Sequence, residues 1–310
     1  MGVLHSVFLV LLPMVYLVVW ATYMWLFLKD HPLARRLATR LALTAVVLDL
    51  AAEIHQAFEL QRLPMGSPLE FMGLLAWALL ATYLVIEKRL GAKNTGFLIT
   101  GMAFLLRFLS SALTRPVHEA SPFLSDPGFA GHAVLILLAY TALSLSFLYA
   151  ILYLILARQL MRRQFGLLFR RLPSLDILER MSIGGVELGL PLLFLALCLG
   201  HLWMYDLAER VSPEMAAMLS PWDPKILATW VIFLAYVAGL AGYHFLGWRG
   251  RRMNIMAVVG YLTVMAAMGA IQHFFPSFHK FRPDPARAET GLLREGPAAA
   301  DHLQVPGGRG

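Results

Sequence analysis

"LSPWDPKILATWVIFLAYVAGLAGYHFLGWRGRR" runs from Leu219 to Arg252, and its reading decides the fold. From Ile226 to Trp248 there is no Asp, Glu, Lys or Arg and a single His, His244; Lys225 closes the run at one end and Arg249, Arg251 and Arg252 close it at the other. A hydrocarbon core of roughly 30 Å takes about 20 apolar residues as a helix, because every backbone N–H and C=O within it must be paired inside the segment. The run therefore reads as a membrane-spanning helix. Trp222 at its entrance is the kind of amphipathic ring that sits at headgroup level.

Applied outward, the same ruler finds about eight spans in the 310 residues: Val3 to Leu28, Leu41 to Leu60, Leu69 to Glu87, Gly96 to Leu113, Ala133 to Ala157, Ser182 to Leu207, Ile226 to Trp248 and Met253 to Phe275. The chain is 59% hydrophobic and 15% charged, with a mean hydropathy of +0.66, outside the range of soluble domains. The expected fold is all-α, a polytopic helix bundle in a membrane. The first run lacks the positive start of a signal peptide and reads as a retained span. The single cysteine, Cys198, lies within the sixth run, which excludes a disulfide framework or thiolate metal cluster. No nucleotide-binding, nucleophile-elbow or zinc-protease motif occurs, so conventional hydrolase chemistry has no residues to run on.

Basic residues follow alternate spans: Lys29, Arg35, Arg36 and Arg40; Lys88, Arg89 and Lys93; Arg158 to Arg171; and Arg249 to Arg252. The positive-inside rule puts these loops in the cytoplasm and both termini outside. The net charge of +7 thus reflects topology, and without interleaved aromatics it gives no support to nucleic-acid binding. Arg158 to Met181 alternates arginines with Leu and Phe and is expected to lie on the inner surface as an interfacial helix. Residues 1–279 form one transmembrane domain; residues 280–310, rich in Pro, Gly and Ala, are expected to be a disordered tail.

Depth, at about 1.5 Å of rise per residue, sorts the polar side chains. His132 opens the fifth span on the outer side, His279 lies just beyond the eighth, and Trp222 with Asp223 opens the seventh. Imidazole is the usual protein ligand of haem iron, and a six-coordinate haem takes two. The same residues also serve widely as headgroup anchors. His244 falls roughly 28 Å down the seventh span from Lys225, at the depth of Glu187 in the sixth. That pair marks a second, inner site or a simple local hydrogen bond. Asp49 and Glu53 share one face of span two at i,i+4 spacing, and Arg107 sits at mid-depth in span four, which reads as a buried ion pair or as a polar path. Gly185 and Gly189 predict close helix packing.

Three stretches together resemble the cytochrome c assembly family of the CcsA/ResC type, with its HemX-like relatives: "FRRLPSLDILERMSIGGVELGLPLL" (Phe169 to Leu193), "PMGSPLEFMGLLAW" (Pro64 to Trp77), and "WDPK" followed by "GWRGRR" (Trp222 to Lys225, Gly247 to Arg252). The resemblance implies a bacterial inner-membrane protein that presents haem b on its outer face for attachment to apocytochrome c, with a CcsB/ResB-type membrane partner. It implies a haem-lyase component without a catalytic side chain of its own. By position, His132 and His279 match the iron ligands, and Trp222 and Asp223 match the end of the tryptophan-rich WWD segment, here near residues 214–226. His244 lies one turn from the inner ligand position, which falls at Ala241. "EMAAMLSP" (Glu214 to Pro221) lacks the family's further tryptophans, and Ile226 replaces its Glu. The alternative is a HemX-like protein with a regulatory or interaction role and no haem attachment.

Overall fold

The computed structural model describes residues 3–91, 93–114, 122–211, 213–216 and 219–274. Ten α-helices follow one another: α1 (Val3–Lys29), α2 (Pro32–Leu60), α3 (Pro68–Leu90), α4 (Gly96–Leu113), α5 (Pro127–Met161), α6 (Leu167–Arg171), α7 (Leu175–Arg210), α8 (Pro213–Ala216), α9 (Pro224–Phe245) and α10 (Arg251–Phe274). A single 3₁₀ turn, Pro122–Ser125, precedes α5. No strand occurs among the described residues. The fold is an all-α membrane bundle, and the protein is a multi-pass membrane protein.

Among the described residues seven helices are long and apolar enough to cross a membrane, and α2 is the long helix that falls short of that standard. Its charges explain the shortfall, because Arg35, Arg36, Arg40, Asp49, Glu53 and Glu59 all lie within it. Yet α2 runs antiparallel to both neighbours along its length. Tyr16 of α1 meets Asp49, Trp77 of α3 donates to the Val46 carbonyl, and Thr39 donates to Glu87 of α3. A slab crossed by α1 and α3 is therefore crossed by α2, which restores the expected eighth span. Ala34, Ala38, Ala42 and Ala45 bury its close-packing face.

The helices start where the chain dictates. His31, Ser67, Asp126 and Asp223 each accept a backbone N–H in the first turn, and each is followed by a proline at the first helical position. That combination satisfies one orphan donor and omits another. Gly91, at φ 63°, ends α3 in the left-handed conformation.

α5 is the central helix and packs against α3, α7 and α10. Its closest partner is α7. A Cβ on Gly185 would stand 2.7 Å from the Ala142 carbonyl and one on Gly189 3.3 Å from that of Ala139. The predicted glycine contact is thus a backbone-to-backbone approach. α10 joins through Tyr261, whose hydroxyl pairs with Ser144 at 2.7 Å and whose ring stacks on Phe147.

One expectation is corrected. Arg158 to Met181 is no single interfacial helix: α5 continues to Met161, α6 is only five residues, and α7 already begins at Leu175. The segment is tethered as a loop would be, with Arg171 reaching Asp30 at 3.0 Å and accepting at its carbonyl from Asn94 at 2.6 Å. Residues 280–310 lie outside the described residues.

Candidate functional site

The bundle has a basic end, where α1, α3, α5, α7 and α9 meet the arginine-rich turns, and an opposite end where α5 and α9 begin and α7 ends. The sequence points to the opposite end. Asp126 caps α5 there by accepting from Gly128 N–H at 2.8 Å and pairs with Arg210 of α7 at 2.9 Å. Burial opposes the Asp126 carboxylate, but the Gly128 N–H and the Arg210 guanidinium outweigh it and hold its pKa below the usual carboxylate value.

His132 follows two turns into α5. Its Nδ1 lies 2.7 Å from the Ala196 carbonyl of α7. A carbonyl oxygen only accepts, so Nδ1 carries the proton and Nε2 the lone pair. The imidazole has room because α7 carries Gly200, where a Cβ would come within 2.7 Å of Nδ1. Holding one ring nitrogen on a main-chain carbonyl is how a protein orients an imidazole that ligates iron or another metal through the other nitrogen.

A second imidazole, His201, lies on the next residue of α7. Its Nδ1 donates to Leu197 O of its own helix at 2.8 Å, which sets the same tautomer. Its ring meets Trp230 of α9 at 6.0 Å, and Trp230 in turn packs edge-to-face on Phe194 and Phe233. Sequence reasoning missed this aromatic cluster. Trp230 stands in the apolar run that opened the analysis, but helical spacing alone cannot say which neighbour faces it.

Trp222 is 75% exposed, with its backbone N–H on Ser220 Oγ at 3.2 Å. Asp223 is buried and caps α9 through Lys225 N–H at 2.8 Å. It therefore has a structural task in shaping the turn that presents Trp222. His279 lies outside the described residues.

At the basic end His244 and Glu187 do meet, with Nε2 3.0 Å from Oε1 across α9 and α7, both half-exposed. Other residues of the stretches that carried the resemblance serve the architecture. Gly247 (φ 66°) and Gly250 (φ 63°) turn the chain between α9 and α10. Trp248 folds onto Gly242, where a Cβ would lie 2.3 Å from its ring, and Arg252 stacks over Trp248 at 3.7 Å. Gly250 N–H donates to Glu179 of α7 at 2.6 Å. In the other stretch, Glu70 accepts two bonds from Arg62 at 2.9 and 3.0 Å and a third from Gly66 N–H at 2.8 Å.

No group of three His, Cys, Asp or Glu side chains gathers as a chelating cage among the described residues. The donor set suits a prosthetic group that needs only one or two imidazoles and an apolar or aromatic face.

Comparison with known proteins agrees with this frame. The Cytochrome C assembly protein family matches residues 65–271. Protein HemX of Brevibacillus brevis is 28% identical over 207 residues, covering 66% of this chain and 76% of its own. The cytochrome c biogenesis protein CcsA of Porphyra purpurea is 25% identical over 260 residues (70% and 78%), and the inner membrane protein YpjD of Escherichia coli K12 is 26% identical over 232 residues (74% and 84%). With a match that runs from the Glu70 turn through the central α5 and α7 pair into α10, the chain belongs to the cytochrome c assembly protein family.

Proposed function

We propose that the protein handles haem in cytochrome c maturation, presenting it at the end of the bundle where α5 and α9 begin, and that this end faces outward with both termini. His132 and His279 would hold the iron, Trp222 would offer an aromatic face, and Asp223 would fix the turn that carries Trp222. His244, paired with Glu187, would serve an inner site. Haem, when bound, supplies the vinyl groups that become thioether links to a Cys-x-x-Cys-His segment of apocytochrome c. The chain's own work is to bind, orient and hand over, with a CcsB/ResB-type membrane protein as partner in a bacterial inner membrane. The observation that carries the reading is the tautomer of His132, fixed by the Ala196 carbonyl with its lone pair on Nε2. Alternate basic loops support the orientation.

A second reading, a HemX-like protein with a regulatory or interaction role, is favoured by the absence of tryptophan from 214 to 221 and by the exposure of Trp222. One measurement separates the two. The purified full-length protein, reduced, is expected to show the absorption spectrum of a low-spin bis-histidine haem. His132→Ala is expected to lose it and added imidazole to restore part of it. A wild type that retains no haem after supplementation during expression decides for the second reading.

A further inference from the structure

The first four helices bury three ionic clusters, and their charges do not all balance. Near the α2–α3 loop Arg62 is matched by Glu70. Toward the basic end Glu87 faces Lys93 at 3.6 Å and accepts from Tyr23 and Thr39. Each of those has one acid and one base. The third cluster, midway along the helices, sets two carboxylates against one guanidinium. Arg107 Nη2 lies 3.1 Å from Asp49 Oδ1, and its Nη1 lies 2.6 Å from Glu53 Oε1. Side-chain exposure is 0% for Asp49 and 7% for Glu53 and Arg107, so water does not supply the missing charge.

Among the described residues the surroundings supply no second cation. From α1 comes Tyr16, whose hydroxyl donates to Asp49 Oδ2 at 2.5 Å, while His5 of the same helix stands about three turns away. From α2 come the two carboxylates, with His55 and Glu59 beyond them toward the α2–α3 loop. From α3 comes Gly73, whose missing Cβ leaves the space that Arg107 Nη1 and Ser110 Oγ occupy, and one turn before it Glu70, already matched by Arg62. From α4 come Arg107 and Ser110. Two atoms inside the cluster, Asp49 Oδ1 and Arg107 Nε, have no hydrogen-bond partner.

An uncompensated charge at this depth is costly, and a buried carboxylate relieves the cost by taking up a proton. We infer that Asp49, Glu53 and Arg107 form a binding site for one proton within the membrane, independent of the haem reading. The proton is taken from hydronium of the bulk solvent: one of its O–H bonds breaks, leaving water, as the O–H bond to the carboxylate oxygen forms. Asp49 is the better anion, because Tyr16 donates to one of its oxygens and the guanidinium faces the other. Glu53 engages Arg107 through Oε1, and its Oε2 bears the proton. The site then holds one anion, one cation and one neutral acid.

Infrared spectroscopy of the full-length protein in lipid nanodiscs tests this. The wild type at neutral pH is expected to show a carboxylic-acid carbonyl band that shifts on exchange into D2O. Glu53→Gln and Asp49→Asn each leave one acid for one base, so each is expected to lose one equivalent of that band, with helical circular dichroism and elution profile unchanged. Tyr16→Phe keeps the charge count and is expected to keep the band while shifting it. A wild type with no exchangeable acid band overturns the proposal without recourse to any variant. A band whose intensity and position ignore Glu53→Gln, Asp49→Asn and Tyr16→Phe belongs to another carboxyl and overturns it equally.

Discussion

The two halves of the bundle solve the same problem in opposite ways. In α1–α4 the interior is ionic: Asp49, Glu53, Glu87 and Arg107 are buried, and each finds a partner on a different helix. In α5–α10 the middle of the bundle carries no buried charge and packs through glycine, with Gly185 and Gly189 bringing α7 onto α5. The second half keeps its histidines and Glu187 toward its rims. The difference teaches that the first half uses charge to hold a helix that lipid alone would not hold, whereas the second uses contact and sets His132 and His201 against main-chain carbonyls.

The largest expected effect comes from breaking the ionic half. Arg107→Leu strands Asp49 and Glu53 without a counter-charge, which costs about 3–5 kcal/mol. Loss of folded protein in detergent, read by thermal melting and by cysteine labelling of α2, is the expected result. Adding Asp49→Asn and Glu53→Gln to Arg107→Leu is expected to recover most of the loss. Should the triple variant melt no better than Arg107→Leu, the cluster is not a charge-matching device.

The glycine half breaks by bulk. Gly185→Val pushes a side chain into the backbone of Ala142 and is expected to cost about 1–3 kcal/mol in the same melt. Gly184→Ala, one residue earlier with nothing within 4 Å of its Cβ, is the matched control and is expected to change little. Gly200→Ala sharpens the comparison, because its methyl group displaces His132 without deleting it. It is expected to shift the absorption spectrum of bound haem with a smaller loss of helix stability than Gly185→Val; an unchanged spectrum separates His132 from the haem.

The smallest effect is at the rim. Asp126→Ala removes the α5 cap and is expected to cost about 1 kcal/mol. The pH dependence has a definite sign. Because the folded pKa of Asp126 lies below its ordinary value, its contribution is complete above that ordinary value and is lost as pH falls through the folded pKa. A pH series of melts on wild type and Asp126→Ala should therefore converge in acid. Divergence there would assign the stabilisation to another group.

Much of the frame was legible. Apolar runs located the spans, and the Arg107 partnership followed from depth and the i,i+4 spacing of Asp49 and Glu53. Helix ends were less legible: α7 extends from Leu175 to Arg210, well past the apolar limits of Ser182 and Leu207, because hydropathy marks the hydrocarbon and helices continue through the headgroups. The pairs Arg62 with Glu70 and Lys93 with Glu87 are not legible, since sequence order hides which ends meet. Of the site, His132 and the Glu187–His244 pair could be placed by depth. His201 against Trp230 could not, since the contact depends on the rotation of two helices about their axes.

The cap-and-proline starts have a further consequence for where the imidazole stands. A proline at the first helical position prevents the helix from winding backward into its loop, and the Asp126 side chain, engaged with Gly128, closes the same route. The height of His132 is then a count along the chain, six residues or about 9 Å from a fixed stop. Residues 114 to 125 can lengthen or shorten without raising or lowering it. Loop length is thereby uncoupled from the height of the imidazole, and His132 stays at its level whatever precedes Asp126.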